Sequence, residues 1–261
     1  MTKAGKVYLI GAGPGDPELM TLRAARMLAE AEAVVYDRLV SPEIMATVPA
    51  AARLVPVGKA PGFHTVPQER INEILAELAG AGLTVARLKG GDPLIFGRGS
   101  EEAAYLARRG IAVEYAPGIT AAQGAAAATG VPLTHRGLAT GVQYVTGHRL
   151  KDRALELNWK RLADPETTLV VYMGVANIGQ IALRLIAEGM PAGLPVMAVA
   201  NATTPREARL VSRLDRIALE MRDWPVEGPV LFFIGHVVSL HAAEGVEIPD
   251  LAEHLNAAAH A

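Results

Sequence analysis

The sequence predicts an α/β fold built as two α/β domains, and three observations carry that reading. Short apolar runs alternate with amphipathic stretches from residue 6 onward, which implies a mainly parallel sheet with helices on both faces. Loops rich in glycine and proline follow several of those runs, at the sheet edge where open α/β folds bind ligands. Residues 131–140 (Val-Pro-Leu-Thr-His-Arg-Gly-Leu-Ala-Thr) have the composition of a linker, and a second set of elements follows. The expected division is therefore 1–134 and 135–245, with a tail at 246–261. A chain of 261 residues is long enough for two such domains with sizeable cores.

In the first domain, residues 6–10 form a strand that breaks at Gly11-Ala12-Gly13-Pro14-Gly15-Asp16-Pro17. Asp16 suits an N-cap, Pro17 a first helical position and Glu18 the positive helix end, so a helix follows with Leu19, Leu22, Ala25 and Ala29 on one face. Strands are expected at 33–36, ending at Asp37-Arg38, and at 54–57, ending at Gly58-Lys59. Pro67 opens a helix through residue 81 that buries Ile71, Ile74, Leu75 and Leu78. A buried strand at 84–89, a helix over 100–109 and a strand at 113–115 complete the set, and an alanine-rich helix from Pro117-Gly118-Ile119-Thr120-Ala121-Ala122 stops at Gly130. The second domain reads as strand 142–146, helix 155–162, strand 168–173, helix 177–188, strands 195–200 and 208–212, a short helix to Met221 and strand 230–234.

The stretch Lys89-Gly90-Gly91-Asp92-Pro93-Leu94-Ile95-Phe96-Gly97-Arg98-Gly99-Ser100-Glu101-Glu102 stands out. Adjacent glycines at a strand end leave backbone N–H and C=O groups open to a ligand. An acid, a base and several apolar residues in one loop exceed what a connection needs.

Composition narrows the function. A net charge of −2 argues against a general nucleic-acid or membrane-surface binder. With no cysteine there is no thiol nucleophile, thiolate metal site or disulfide framework. No His/Asp/Glu set has metal-ligand spacing, so no metal is expected. The start of the chain has no apolar signal core, and no apolar run reaches the roughly 20 residues of a membrane span, so a cytoplasmic protein is expected. Gly11-Ala12-Gly13-Pro14-Gly15 with Asp37 at the next strand end imitates a dinucleotide site. Pyrophosphate needs free N–H groups, however. Pro14 and Pro17 remove two, and Asp16 and Glu18 bring negative charge to the phosphate position. A ligand without phosphates, and carrying positive charge, fits better.

Residues 7–17 resemble the first signature of the tetrapyrrole (corrin/porphyrin) methyltransferases, and residues 88–102 resemble the second. Val35-Tyr36-Asp37-Arg38-Leu39-Val40-Ser41, Gly58-Lys59, Pro117-Gly118-Ile119-Thr120-Ala121 and Thr146-Gly147-His148 fit the same family in order. The Phe-Gly-Arg-Gly variant points to the members that act on uroporphyrinogen III. The resemblance implies two α/β domains with S-adenosylmethionine (SAM) in the cleft between them and S-adenosylhomocysteine as its product. It implies successive methyl transfers to C2 and C7 of uroporphyrinogen III, through precorrin-1 to precorrin-2, and a homodimer. It also implies a stand-alone enzyme without the dehydrogenase/chelatase segment that some relatives carry. A methyltransferase for a later corrin intermediate, a nucleotide-dependent oxidoreductase and a catalytically silent SAM-binding protein are the alternatives.

Carried over by motif, Pro14, Gly90, Gly91, Asp92, Ile95, Thr120, Ala121, Met173 and Ala202 are expected to line the SAM site. Asp92 equally fits a cap on the turn before Pro93, Met173 equally fits a core, and Ala202 stands where relatives often have glycine. The resemblance assigns Asp37 as base and Lys59 as acid; Asp37 also suits an N-cap or a partner for Arg38. A polycarboxylate substrate calls for arginine, whose planar fork matches a carboxylate. Arg38, Arg98, Arg136 and Arg149, with His64, His135 and His148, lie in suitable loops. Arg98 is the strongest candidate for binding substrate or steering protons, and Glu101, one turn into the next helix, fits equally a partner that orients it or a charge at the helix start.

Overall fold

The computed structural model describes residues 5–58, 66–148 and 155–241. The chain divides into two compact units, Met1–Gly124 and Ala125–Ala261. In the first unit the strands are β1 (Lys6–Gly11), β2 (Ala33–Tyr36), β3 (Arg53–Pro56), β4 (Thr84–Lys89) and β5 (Ala112–Ala116). They form one parallel sheet in the order β3-β2-β4-β1-β5, with Val7 of β1 opposite Val85 of β4 and Val113 of β5. The helices are α1 (Leu22–Ala29), α2 (Pro42–Met45), α3 (Gln68–Gly80), α4 (Gly99–Ala107) and α5 (Ala121–Thr129), the last running across the division.

Alternation along the strands builds a core on each face, as period-two side chains require. Tyr8, Ile10, Val34, Ala86 and Leu88 pack with Ala24, Met27 and Leu28 of α1 and Ile44 of α2. Val7, Leu9, Val35 and Val85 pack with Ile71, Leu75 and Leu78 of α3 and with Ala103 and Leu106 of α4. Both faces of the parallel sheet are covered, the usual condition for such sheets.

The second unit holds β6 (Gly141–Thr146), α6 (Trp159–Leu162), β7 (Thr167–Tyr172), α7 (Ile178–Ala187), β8 (Pro195–Ala200), β9 (Ala208–Arg213), α8 (Ile217–Asp223) and β10 (Val230–Ile234). Its sheet is mixed, in the order β6-β7-β10-β8-β9. The β6–β7 pair is parallel, whereas β10 runs antiparallel to both β7 and β8, and β9 antiparallel to β8. The central strand β10 is buried throughout and packs with Trp159, Ile181 and Leu185.

Three local expectations need correction. The helix expected after Pro17 is a 3-10 turn, Pro17–Leu19, followed by a fresh start at α1. Asp16 caps the turn by accepting from Glu18 N, and Thr21 caps α1 by accepting from Ala24 N at 3.1 Å. That second cap resets the register, so Ala24, Met27 and Leu28 are buried while Leu22 is 92% exposed. The helix expected over 155–162 occupies only its last turn. Asn158 caps it by accepting from Arg161 N, and Leu155 is buried without being helical. The two units divide inside α5, ahead of the 131–140 stretch read as a linker. That stretch is packed: Val131, Leu138 and Ala139 are buried and His135 bridges to Ala139. The expected tail lies outside the described residues.

Candidate active site

Because the first sheet is parallel, the loops leaving β1, β2, β3, β4 and β5 all emerge at one edge, and contacts between backbones join them. Gly13 and Gly91 exchange hydrogen bonds, Gly13 N to Gly91 O at 3.2 Å and Gly91 N to Gly13 O at 2.7 Å. A Cβ on Gly11 would collide with Gly118 N, and one on Gly118 with Gly91 O, so three loops meet where no side chain fits. Gly91 needs glycine for its backbone instead: its φ is +67°, while a Cβ would come no nearer than 3.7 Å to Ala121 N and 3.9 Å to Thr120 Cα. Ser41 Oγ donates to Gly15 O at 2.6 Å, fixing Pro14 and its neighbours against the β2 loop. At Gly90 the space is taken by the Leu39 side chain, 2.8 Å from where a Cβ would sit.

Asp92 crosses between loops. Its Oδ1 accepts from Leu94 N at 2.8 Å and its Oδ2 from Gly118 N at 3.1 Å, so the turn-capping role is realised and extended to the β5 loop. Beyond it Leu94, Ile95 and Phe96 are exposed, and Phe96 and Arg98 adopt left-handed backbone with φ near +53° and +59°. Non-glycine residues held there store strain, which clusters at functional sites. Arg98 forks onto Glu101, with Nε to Oε1 at 2.9 Å and Nη2 to Oε2 at 2.7 Å. The pair raises the Arg98 guanidinium further and holds the Glu101 carboxyl below its usual range.

Asp37, at the end of β2, accepts from Leu39 N at 3.0 Å through Oδ1. Its Oδ2 pairs with Arg87 Nη2 at 3.5 Å, not with the exposed Arg38. Arg87 belongs to a buried charge cluster on the α3/α4 face. There Glu102 Oε1 accepts from Arg87 Nε at 3.2 Å, Lys89 Nζ at 3.1 Å and Gln68 Nε2 at 3.0 Å. Burial first, and the Arg87 charge second, push the Lys89 ammonium down. Glu102 Oε2 is buried and has no hydrogen-bond partner among the described residues.

In the second unit β6, β7 and β8 run in one direction, so Gly147-His148, Met173 and Ala202 share one sheet edge. Met173 is half-exposed with φ of +53°, an unfavourable backbone for a residue that could have been core. Asn201 and Thr203, flanking Ala202, are left-handed too. Asn201 Nδ2 donates to Glu227 O at 2.7 Å, and Thr203 N donates to Glu207 Oε2 at 2.7 Å. Gly147 and Gly174 touch, and Asn177 Nδ2 donates to Gly147 O at 2.6 Å. His148 is exposed, its N–H donating to Thr146 Oγ1.

The model of the tetrapyrrole (corrin/porphyrin) methylases matches residues 6–218. The chain belongs to that family. It is 60% identical to the uroporphyrinogen-III C-methyltransferase of Paracoccus denitrificans over 94% of this chain and 85% of that protein. It is 48% identical to the siroheme synthase of Pseudoalteromonas atlantica over 90% of this chain, and spans about half the length of that relative, 51%. The crystal structure of uroporphyrin-III C-methyltransferase from Thermus thermophilus complexed with S-adenosylhomocysteine superposes with a TM-score of 0.78, at 43% identity, covering 90% of this chain and all of that one.

Within this tetrapyrrole methylase, the structure brings Pro14, Gly90, Gly91, Asp92, Ile95, Thr120 and Ala121 to one edge of the first unit. Met173 and Ala202 lie at one edge of the second. Lys59, His64 and Arg149 lie outside the described residues. Arg136 is exposed, next to the His135–Ala139 bridge. Sequence reading missed Arg87, Lys89 and Glu102. A signal for the first two was present: basic residues at alternate positions of a strand whose other positions are Thr84, Val85, Ala86 and Leu88 put two charges on one buried face. Among the described residues no group of three or more His, Cys, Asp or Glu could hold a metal ion.

Proposed function

We propose that this tetrapyrrole methylase is a SAM-dependent C-methyltransferase that converts uroporphyrinogen III, through precorrin-1, to precorrin-2 by methylation at C2 and C7. The observation that carries the reading is the loop edge of the first unit, where glycine backbones meet without side chains beside exposed apolar residues. That edge fits the cofactor. Gly91 carries no side chain, Asp92 and Thr120 offer oxygens, and exposed Ile95 offers apolar surface. Pro14, Gly90 and Ala121 complete the first unit's set, and the resemblance assigns the exposed Met173 and Ala202 of the second unit to SAM as well. When bound, SAM would supply an electrophilic sulfonium methyl group that a pyrrole carbon can attack, with S-adenosylhomocysteine leaving and neither metal nor covalent enzyme intermediate needed.

The protein's share is alignment, which can supply roughly 7–11 kcal/mol of barrier lowering, with proton transfer adding about 10²–10⁴-fold. Asp37, held by Leu39 N and Arg87, takes the proton released from the methylated ring. Lys59 acts as the acid by resemblance. Arg98 uses Nε and Nη2 on Glu101, which leaves the Nη1 edge for a substrate carboxylate. Arg38, His64, His148 and Arg149 add to the same polycarboxylate contact. Gly90 serves mainly as the seat for Leu39, since that side chain fills the space a Cβ would need. A cytoplasmic homodimer belongs to the same reading.

Anaerobic incubation with SAM and enzymatically generated uroporphyrinogen III, followed by mass spectrometry, tests it. A tetrapyrrole gaining two methyl groups is the expected result. SAM binding without a mass change would reject the acceptor, and absence of SAM binding would reject the site.

A further inference from the structure

We infer that Glu102 is a positioning residue for this reaction, holding the guanidinium of Arg87 so that its remaining edge fixes Asp37 Oδ2. The inference rests on the assignment of Asp37 as the base.

The geometry is a chain of single-purpose contacts. Arg87 is buried in β4, and each part of its fork is committed. Nε donates to Glu102 Oε1 at 3.2 Å, and Nη1 reaches the carbonyls of Val35 and Leu88 at 3.4 and 3.2 Å. Only Nη2 points to Asp37. A planar guanidinium fixed at Nε and Nη1 cannot swing, so the Asp37 contact is set by the other two. Glu102 is the anchor because it is fully buried and gathers Arg87, Lys89 and Gln68 on one oxygen. Its second oxygen is buried with no hydrogen-bond partner among the described residues.

The test is Glu102→Gln beside the wild type, with anaerobic kinetics, SAM binding by calorimetry and thermal unfolding. The expected result is unchanged SAM affinity, tetrapyrrole KM within about threefold, and kcat lowered by about 10²-fold, the scale of a displaced catalytic group. Arg87→Lys, which keeps the charge but loses the fork, should give the same loss of kcat at unchanged SAM affinity. Unchanged kcat in folded Glu102→Gln would overturn the inference alone. Parallel loss of SAM binding and rate, or failure of both variants to fold, would make the cluster structural and also overturn it. A wild type that binds SAM but methylates nothing would remove the reading beneath it.

Discussion

Glu101 and Glu102 are neighbours on one helix, and each pairs with arginine, yet their surroundings are opposite. The Glu101 side chain is 54% exposed and meets Arg98 across one turn, at the surface. The Glu102 side chain is 0% exposed and meets Arg87 and Lys89 from the sheet. The difference follows from the helix, where consecutive residues point about 100° apart. One glutamate pairs at the surface with the loop that follows β4. The other shares the buried face with Ala103 and Leu106. An exposed pair is worth about 0–1 kcal/mol, whereas a buried group that loses its partner leaves an uncompensated charge. The outer pair can therefore be lost at little cost, and the inner cluster cannot.

The largest expected effect is on stability. Glu102→Ala leaves Arg87 and Lys89 buried without their acid and should cost about 3–5 kcal/mol. Glu101→Ala should cost at most about 1 kcal/mol. Urea unfolding of the two variants checks this, and equal losses would break the contrast. Next comes Arg98→Ala, which should fold normally but raise the tetrapyrrole KM about tenfold or more, as expected when a charge-assisted contact of roughly 1.5–3 kcal/mol is removed. Steady-state kinetics decide it.

The smallest effects concern pH, and in both stability rises with pH, for one group in acid and for the other in alkali. Arg98 holds the Glu101 carboxyl below its ordinary 4.5. A lowered acid contributes stability above its unfolded value, so that contribution is present at neutral pH and fades as pH falls below about 4.5. Lys89 is a base lowered from 10.5, so the unfolded chain binds its proton more tightly. Its burial penalty is full at low pH and is relieved as pH rises toward 10.5. Stability differences between wild type and Glu101→Gln in acid, and between wild type and Lys89→Met in alkali, should show those two slopes.

Much of the fold was legible. The bounds of β2, β4, β8 and β10 follow from their apolar runs, and the helices on both faces of the first sheet follow from alternation. What was not legible has local causes. Thr21 restarts a helix that spacing alone reads as continuous, and Asn158 starts α6 a turn late. At the site, the Arg98–Glu101 pair could be read because its members are three residues apart. The Asp37–Arg87 pair could not, because only sheet pairing of β2 with β4 brings them together. Glu102 was hidden likewise, because its partners lie on a strand and a second helix far from it in sequence.

The most direct test of this division is side-by-side anaerobic kinetics of Glu101→Gln and Glu102→Gln with SAM and uroporphyrinogen III. Glu101→Gln is expected to raise the tetrapyrrole KM and keep kcat, while Glu102→Gln keeps KM and loses kcat. The same change in both variants, or the reverse pattern, would contradict it.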